Sequence, residues 1–335
     1  MKRIISLLLA LALSLSLAAC AAPAEKADGG KLQIVTTLFP YYDFARAIAQ
    51  DRADVTLLLS PGREAHSFEP TPLDAVTISE ADVFLYNGGE GEYWVESMLD
   101  AAGEHIAVAS RMMDYVDALN EEYVEGMQGA DGHDHDHEHG SHDDHDHDHE
   151  EDEHDSDEIE YDEHIWTSPK NAVVLCRAVC DAICRADAEN AAFYRANCDD
   201  YCAQLEDLDA RFAALCESAP RKLLIFADRF PMLYFCREYG LDYRAAFHGC
   251  SGDTEPSLAT IKFLIDKVED ENIPVVYTID FGTKKVAAVV SECTGAAIET
   301  LYSMQTVSRA DFDAGETYLT LMERNFEALR KGLNA

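Results

Sequence analysis

Two histidines stand in sequence contexts where a metal ion could be bound. His66 follows a predicted strand and a Pro-Gly turn, and His164 lies directly before a predicted helix start. Ligand sites in α/β sheets lie at the carboxyl ends of strands, and imidazole is the usual nitrogen ligand for zinc. Either histidine alone could be a surface residue. Two histidines in the same kind of context predict a preorganised metal site.

The segment just before His164 is a second source of metal ligands. Residues 131–163 contain 18 Asp and Glu and nine His, with no Lys or Arg. Imidazoles that alternate with carboxylates bind divalent ions weakly and at several positions. Without apolar periodicity the segment cannot pack a core, so we expect residues 131–160 to form a disordered loop that concentrates zinc or senses its abundance. The alternative is a solvated acidic spacer.

Nine cysteines follow Cys20, an odd number that leaves at least one thiol outside any internal disulfide. Five of them recur at four-residue spacing, which places each set on one helical face. They are Cys176, Cys180, Cys184, Cys198 and Cys202. They could form a thiolate metal cluster or serve as small buried side chains, and we favour the second interpretation. No Cys-x-x-Cys pair occurs, which argues against a zinc ribbon or a redox motif.

The amino terminus has the pattern of an export signal. Lys2 and Arg3 precede an apolar stretch too short for a comfortable membrane span, and small residues lead directly into Cys20. This pattern resembles a lipobox and predicts a signal peptide over residues 1–19, lipidation of Cys20 and a flexible tether over 20–31. The alternative is an ordinary signal peptide cut nearby. We expect an exported protein that is lipid-anchored to the outer face of the bacterial cytoplasmic membrane, or periplasmic.

The charge balance limits the partners of the chain. Lys and Arg number 26 against 64 Asp and Glu, a net charge of −38. Such a chain is a poor ligand for nucleic acid or for anionic lipid through its own charge, and it favours a cation. With 335 residues that are 47% apolar, it can bury the core of one large or two medium α/β domains.

Strand and helix patterns alternate on both sides of the acidic segment, which predicts parallel α/β lobes. The predicted strands are 32–37, 55–59, 83–86, 105–108, 223–226, 243–247, 274–279 and 297–302. The predicted helices are 41–50, one starting at Thr71, 93–102, one starting near 168, 188–218, 231–239, 258–272, 284–294 and 318–333. We therefore expect an N-terminal lobe over 32–187 and a C-terminal lobe over 219–335. A long rigid linker helix over 188–218 joins them, with a metal cleft between the lobes.

Several of these motifs together resemble one family. The chain is similar, from about residue 32 to its end, to the metal-binding lipoproteins of bacterial zinc and manganese ABC importers, the cluster A-I substrate-binding proteins. The motifs are His-Ser-Phe-Glu-Pro-Thr-Pro at 66–72, Gly-Glu to Trp at 89–94, Asp-Glu-His-Ile-Trp at 162–166, Tyr-Gly-Leu at 239–241, Glu-Pro-Ser at 255–257 and Gly-Glu-Thr-Tyr-Leu at 315–319. A His-rich acidic loop before the second ligand motif is typical of the zinc branch.

The resemblance implies a set of metal ligands. His66 and His164 match the first two ligands of the family. Ala227 stands where zinc members have a third histidine, and Tyr302 matches the position of a fourth, acidic ligand. Asp228 or His248 is expected to complete a site of three ligands, with water in the remaining position. Asp228 could instead be a cap or ion-pair residue, and His248 a surface loop residue.

The predicted function is that of a lipoprotein that captures Zn²⁺ between its lobes and delivers it to an ABC permease. Manganese is the alternative cargo, because Asp228 in place of a histidine would favour an oxygen-preferring ion. The chain could instead be a secreted zinc hydrolase with Glu163 as general base, although His-Glu-x-x-His is absent, or a surface adhesin. We expect a monomer that is not an enzyme and does not bind nucleic acid.

Overall fold

The computed structural model describes residues 30–63, 68–103, 106–129, 160–249, 251 and 255–334. The predictions for the signal peptide, for Cys20, for His66 and for nearly all of the tether and the acidic loop fall outside these residues. Within them, no helix is both long enough and apolar enough to cross a lipid bilayer.

A parallel sheet of four strands, in the order β2-β1-β3-β4, forms the first lobe. Its strands are β1 (Leu32–Thr36), β2 (Ala53–Leu57), β3 (Val83–Tyr86) and β4 (Val108–Arg111), and its helices are α1 (Phe39–Ala49), α2 (Pro72–Ser79) and α3 (Trp94–Ala102). The helices supply the crossovers that parallel strands require. The predicted start of α2 is confirmed, because Thr71 accepts a hydrogen bond from the Asp74 backbone N–H and Pro72 is the first helical residue.

Two long helices follow, α4 (Pro169–Ala186) and α5 (Ala191–Ser218). Ser168 caps α4 by accepting a hydrogen bond from the Asn171 backbone N–H at 3.3 Å. The 28 residues of α5 span roughly 42 Å at 1.5 Å per residue. Its buried side chains include Tyr201, Leu205 and Phe212, which belong to the main core.

A second parallel sheet, in the order β6-β5-β7-β8, forms the other lobe. Its strands are β5 (Leu223–Phe230), β6 (Asp242–His248), β7 (Val275–Ile279) and β8 (Ala297–Leu301). Its helices are α6 (Leu233–Tyr239), α7 (Leu258–Asp270), α8 (Lys285–Thr294), α9 (Arg309–Ala314) and α10 (Tyr318–Leu333). The predicted fold class of two parallel α/β lobes is confirmed.

One hydrophobic core runs through both lobes. It joins Leu85 of β3, Phe212 of α5 and Tyr277 of β7, and smaller clusters of buried residues pack outside it. Helix α5 contacts α1 and α4 as well as α6 and α10 of the second lobe. The lobes therefore share buried apolar area, which makes a wide separation of the lobes costly.

A buried chain of hydrogen bonds crosses this core. The Asp43 carboxylate accepts bonds from the Tyr201 hydroxyl at 2.7 Å and from the Tyr318 backbone N–H at 2.9 Å. The Tyr318 hydroxyl donates to the Trp166 carbonyl at 2.7 Å, and Trp166 Nε1 donates to the Ser303 carbonyl at 2.7 Å. Fully bonded buried polar groups specify one arrangement, so this chain fixes α1, α5 and α10 around the segment that carries His164.

Some predicted element boundaries were wrong. Strand β4 is Val108–Arg111 rather than 105–108, because the parallel register with Val83–Tyr86 decides its position. Strand β5 continues to Phe230 rather than ending at 226, because an irregularity between Phe226 and Arg229 lets pairing with β6 resume. Helix α9 was not predicted, and its short length of six residues left no periodic pattern.

Candidate metal site between the lobes

The cleft between the lobes contains two adjoining pockets that share Gln305. The interlobe pocket is lined by residues from both lobes: His164, Arg229, Pro231, Gly249, Ile279, Phe281, Ser303, Gln305 and Thr306. The first-lobe pocket is lined by Thr37, Leu38, Leu59, Phe68, Asn87, Gly91, Glu92, Trp94, Glu163 and Gln305. Glu163 and His164, adjacent in sequence, thus face different pockets.

His164 is held by the turn that leads into α4. Its side chain is only 2% exposed, and its Nδ1 lies 3.1 Å from the Asp162 carboxylate. The same carboxylate accepts the His164 backbone N–H at 2.7 Å, and the Thr167 hydroxyl donates to the His164 carbonyl at 2.8 Å. A carboxylate that bonds one ring nitrogen orients the imidazole and makes the other nitrogen a better metal ligand.

The surroundings of His164 are acidic. Burial alone would lower the pKa of His164, but the carboxylates of Asp162, Glu121 and Glu163 raise it above its ordinary value. One oxygen of Asp162, Oδ2, is buried without a hydrogen-bond partner among the residues that the structure describes. Buried carboxylate oxygens are expected to have partners. An unpartnered oxygen beside an oriented imidazole fits a bound cation.

Three glycines permit close packing against this acidic turn. A side chain on Gly89, which has a φ of +95°, would start 2.4 Å from Glu163 Oε1, and Gly91 donates its backbone N–H to the same oxygen at 2.8 Å. A side chain on Gly249 would start 3.1 Å from the His164 ring. The end of β6 therefore lies directly against His164.

The first predicted ligand, His66, lies outside the described residues. The chain is described again from Phe68, which lines the first-lobe pocket with its ring centroid 5.4 Å from that of Trp94. The role of His66 stays a prediction.

Asp228 and His248 occupy different places around the cleft. The Asp228 carboxylate accepts the backbone N–H of Arg229 at 2.9 Å and that of Ile279 at 3.4 Å. His248 ends β6, and its Nδ1 lies 3.7 Å from the Glu121 carboxylate, an interaction that raises the pKa of His248.

Among the described residues, His164 does not belong to any group of three possible metal-ligand atoms that lie within 4.8 Å of one another. Three cysteines away from the cleft do form such a group. The structure therefore does not bring His164, Asp228 and His248 together as a compact set of three ligands. The Asp228 carboxylate is bonded to backbone N–H groups of β5 and β7. His248 is next to Gly249, which lines the interlobe pocket together with His164.

Two charged residues at the cleft were not predicted from the sequence. Arg229 lines the interlobe pocket, and its guanidinium donates to the Ser251 carbonyl at 3.4 Å. Asp280 follows β7, accepts the Ser303 backbone N–H at 3.2 Å, and has a pKa raised to about 6 by burial. The rule that ligands meet at the carboxyl ends of parallel strands could have identified Asp280. The position of Arg229 depends on the irregularity in β5, which no local pattern of residues indicates.

Glu92 in the first-lobe pocket makes stability depend on pH. Burial, opposed by the Gly88 backbone N–H, raises its pKa from 4.5 to about 7. Between these values the folded state holds more protons than the unfolded state. The free energy of unfolding is therefore expected to fall as pH rises through this window, by at most roughly 3 kcal/mol.

Glu92→Gln is expected to remove this pH dependence and to be more stable than the wild type above pH 7, as measured by denaturant unfolding of metal-free protein across pH. The matched control is Glu90→Gln, because Glu90 is exposed two residues away. Equal pH profiles for Glu92→Gln and the wild type would show that Glu92 has an ordinary pKa.

Comparison with known proteins agrees with this architecture. The family model of the zinc-uptake complex component A, periplasmic (ZnuA), matches residues 34–332. The high-affinity zinc uptake system protein ZnuA of Bacillus subtilis is 31% identical over 308 residues, which cover 91% of this chain and 88% of that protein. The zinc-binding lipoprotein AdcA of Streptococcus pneumoniae is 31% identical over 334 residues, which cover 99% of this chain but only 61% of AdcA.

A solved structure extends this similarity to the fold. The Zn(II)-bound ZnuA-like domain of Streptococcus pneumoniae AdcA superposes with a TM-score of 0.70 at 26% identity, covering 91% of this chain and all of that domain. The family model covers both lobes and the helices between them. The chain therefore belongs to the ZnuA family of periplasmic zinc-uptake components.

Proposed function

We propose that this protein captures Zn²⁺ in the cleft between its lobes and delivers it to the permease of an ABC importer. Zinc is the cargo and is not transformed. Membership of the ZnuA family supports the transport role, and the relatives named as a zinc uptake protein and a zinc-binding lipoprotein support the choice of ion. The proposal includes export and a lipid anchor at Cys20.

The observation that carries this proposal is the environment of His164. A buried imidazole bonded to Asp162 at Nδ1 binds a metal through Nε2, and the neighbouring carboxylates favour a cation. His66 is proposed as the second imidazole ligand. Two imidazoles favour zinc over manganese, which prefers a coordination sphere of oxygen ligands.

Three residues of the second lobe are candidates for the remaining metal ligand. Asp228 and His248 are the predicted ones, and Asp280 is a third because it bonds Ser303, which lines the interlobe pocket. Asp228→Ala, His248→Ala and Asp280→Asn, titrated separately with zinc, identify the ligand as the variant with the largest loss of affinity.

Release of zinc is proposed to occur by displacement of one ligand rather than by wide opening of the lobes. The shared core and the hydrogen bonds from Asp43 to Ser303 resist a large separation. A loop that carries a ligand moves at much lower cost than two lobes that share a core. The histidine-rich segment 131–160 is proposed to collect zinc weakly and to raise its concentration near the cleft.

Asp162→Ala tests the orientation of His164. Loss of the carboxylate is expected to weaken zinc binding by about 10–100-fold, because the imidazole loses the group that orients it. The same change is expected to lower the pKa of His164, which NMR titration of metal-free protein measures. Asp207→Ala, at an exposed aspartate of α5, is the control. Unchanged zinc affinity in Asp162→Ala would contradict the proposed role of His164.

A further inference from the structure

A cluster of cysteines lies away from the cleft, between α4 and α5. Three cysteines of α4 face two of α5, and all five are buried. The Sγ atoms of Cys176, Cys198 and Cys202 lie within 4.8 Å of one another, and those of Cys198 and Cys202 are 3.8 Å apart. The described cysteines are all free thiols. The prediction that these side chains are buried is confirmed, and their convergence is an additional feature.

The spacing of these sulfurs suits a metal ion. With metal–sulfur bonds of about 2.3 Å, two ligands of a tetrahedral ion are roughly 3.8 Å apart. The Cys198–Cys202 distance already has this value, and Cys176 needs to approach by less than about 1 Å to complete the set. The burial of cysteines as small apolar side chains does not require three sulfurs to converge on one position.

A cationic side chain lies near the cluster. The Arg177 guanidinium interacts electrostatically with Cys202 and Cys198. One divalent ion with three thiolates carries a single negative charge, which Arg177 can balance.

A surface pocket gives access to the cluster. It is lined by Arg177, Cys180, Asp181, Arg195, Cys198 and Asp199. Cys198 therefore belongs both to the pocket and to the group of three sulfurs, and the two arginines of the pocket balance the charge of its two aspartates. The pocket therefore lies against one of the three proposed ligands, Cys198.

We propose that Cys176, Cys198 and Cys202 form a second metal site, for a thiophilic divalent cation of the d¹⁰ class to which Zn²⁺ and Cd²⁺ belong. Each cysteine gives up its proton as its sulfur bonds the ion, so binding of one M²⁺ releases three protons to solvent. The bound ion links α4 of the first lobe to α5. This site is independent of the proposed transport function, because it shares no residue with the cleft.

The test is a titration of the reduced, full mature chain with Cd²⁺ under anaerobic conditions, followed by the ultraviolet charge-transfer band of cadmium bound to thiolate. Nitrogen and oxygen ligands give no such band, so the cleft is silent in this assay. We expect a band that saturates at one equivalent and is lost in Cys176→Ala/Cys198→Ala. The control is Cys184→Ala, which removes a buried cysteine of the same helix from outside the group of three and is expected to keep the band.

A second measurement needs no variant. Cd²⁺ is expected to protect Cys176, Cys198 and Cys202 from alkylation, as mapped by mass spectrometry, while the exposed Cys293 stays reactive. The proposal is overturned if the reduced chain shows no thiolate band, if the double variant keeps the band, or if Cys184→Ala loses it equally. It is also overturned if the exported protein carries a disulfide between Cys176 and either Cys198 or Cys202.

Discussion

His164→Ala is expected to weaken zinc binding in the cleft by more than the roughly 10–100-fold that loss of an outer hydrogen-bonding partner costs. The substitution removes a metal ligand and also the imidazole that pairs with the Asp162 carboxylate. Binding is measured by competition with a chelator of known zinc affinity, because a tight site saturates in direct titration.

The control for this variant is His105→Ala. In the sequence His105 falls between α3 and β4, and it is not among the proposed ligands. Because His164 is buried, the unfolding of metal-free His164→Ala is measured in parallel, which separates loss of a ligand from loss of the fold. A folded His164→Ala protein with the zinc affinity of the wild type would rule out His164 as a ligand.

Trp166→Ala is expected to lower the free energy of unfolding by about 3–5 kcal/mol, the range for large aromatic residues removed from a core. Trp166 is fully buried, and its ring packs edge-on against Tyr41, with the ring centroids 6.4 Å apart. Its Nε1 bonds the Ser303 carbonyl of the second lobe at 2.7 Å. The substitution therefore leaves a cavity and an unpaired carbonyl where the lobes meet.

Trp166→Phe separates these two effects. Phenylalanine keeps most of the apolar volume but cannot donate to Ser303, so we expect a loss of about 1–3 kcal/mol, with part of that loss due to the smaller ring. Denaturant unfolding is measured without metal, because bound zinc adds its own stabilisation. A cost below about 1 kcal/mol for Trp166→Ala, far under the usual range, would mean that the network from Asp43 to Ser303 does not hold the lobes together.

Local signals in the sequence were enough to predict most of the fold. The Thr71-Pro72 helix start and the alternation of apolar strands with amphipathic helices are short-range features, and the structure has them where they were expected. The errors arose where pairing between distant segments determines the position or the length of a strand. Strand β4 is positioned by its register with β3, and β5 is extended by an irregularity that only its neighbours reveal.

The site was predicted less completely, for the same physical reason. His164 and Asp162 are two residues apart, so their pairing could be anticipated from the motif. Asp280 directly follows a predicted strand, and that position could have identified it. Arg229 reaches the cleft through the irregularity in β5, which no local pattern indicates. The cysteine cluster was predicted in part. The spacing of the cysteines predicts that each set lies on one helical face, but the convergence of their sulfurs depends on how α4 packs against α5.

Tight binding of one zinc ion by the cleft, rather than by the histidine-rich segment, is the central claim. The most direct test is a zinc titration, with competition by manganese, of the mature wild type, of a deletion of residues 131–160, and of His66→Ala/His164→Ala. All three forms carry Cys176→Ala/Cys198→Ala, so that the proposed cysteine site does not bind zinc. In this background we expect one tight zinc ion that survives the deletion, resists manganese and is lost in the double histidine variant. If all zinc binding disappears with the deletion while the double variant retains it, the cleft is not a zinc site and the proposed function is wrong.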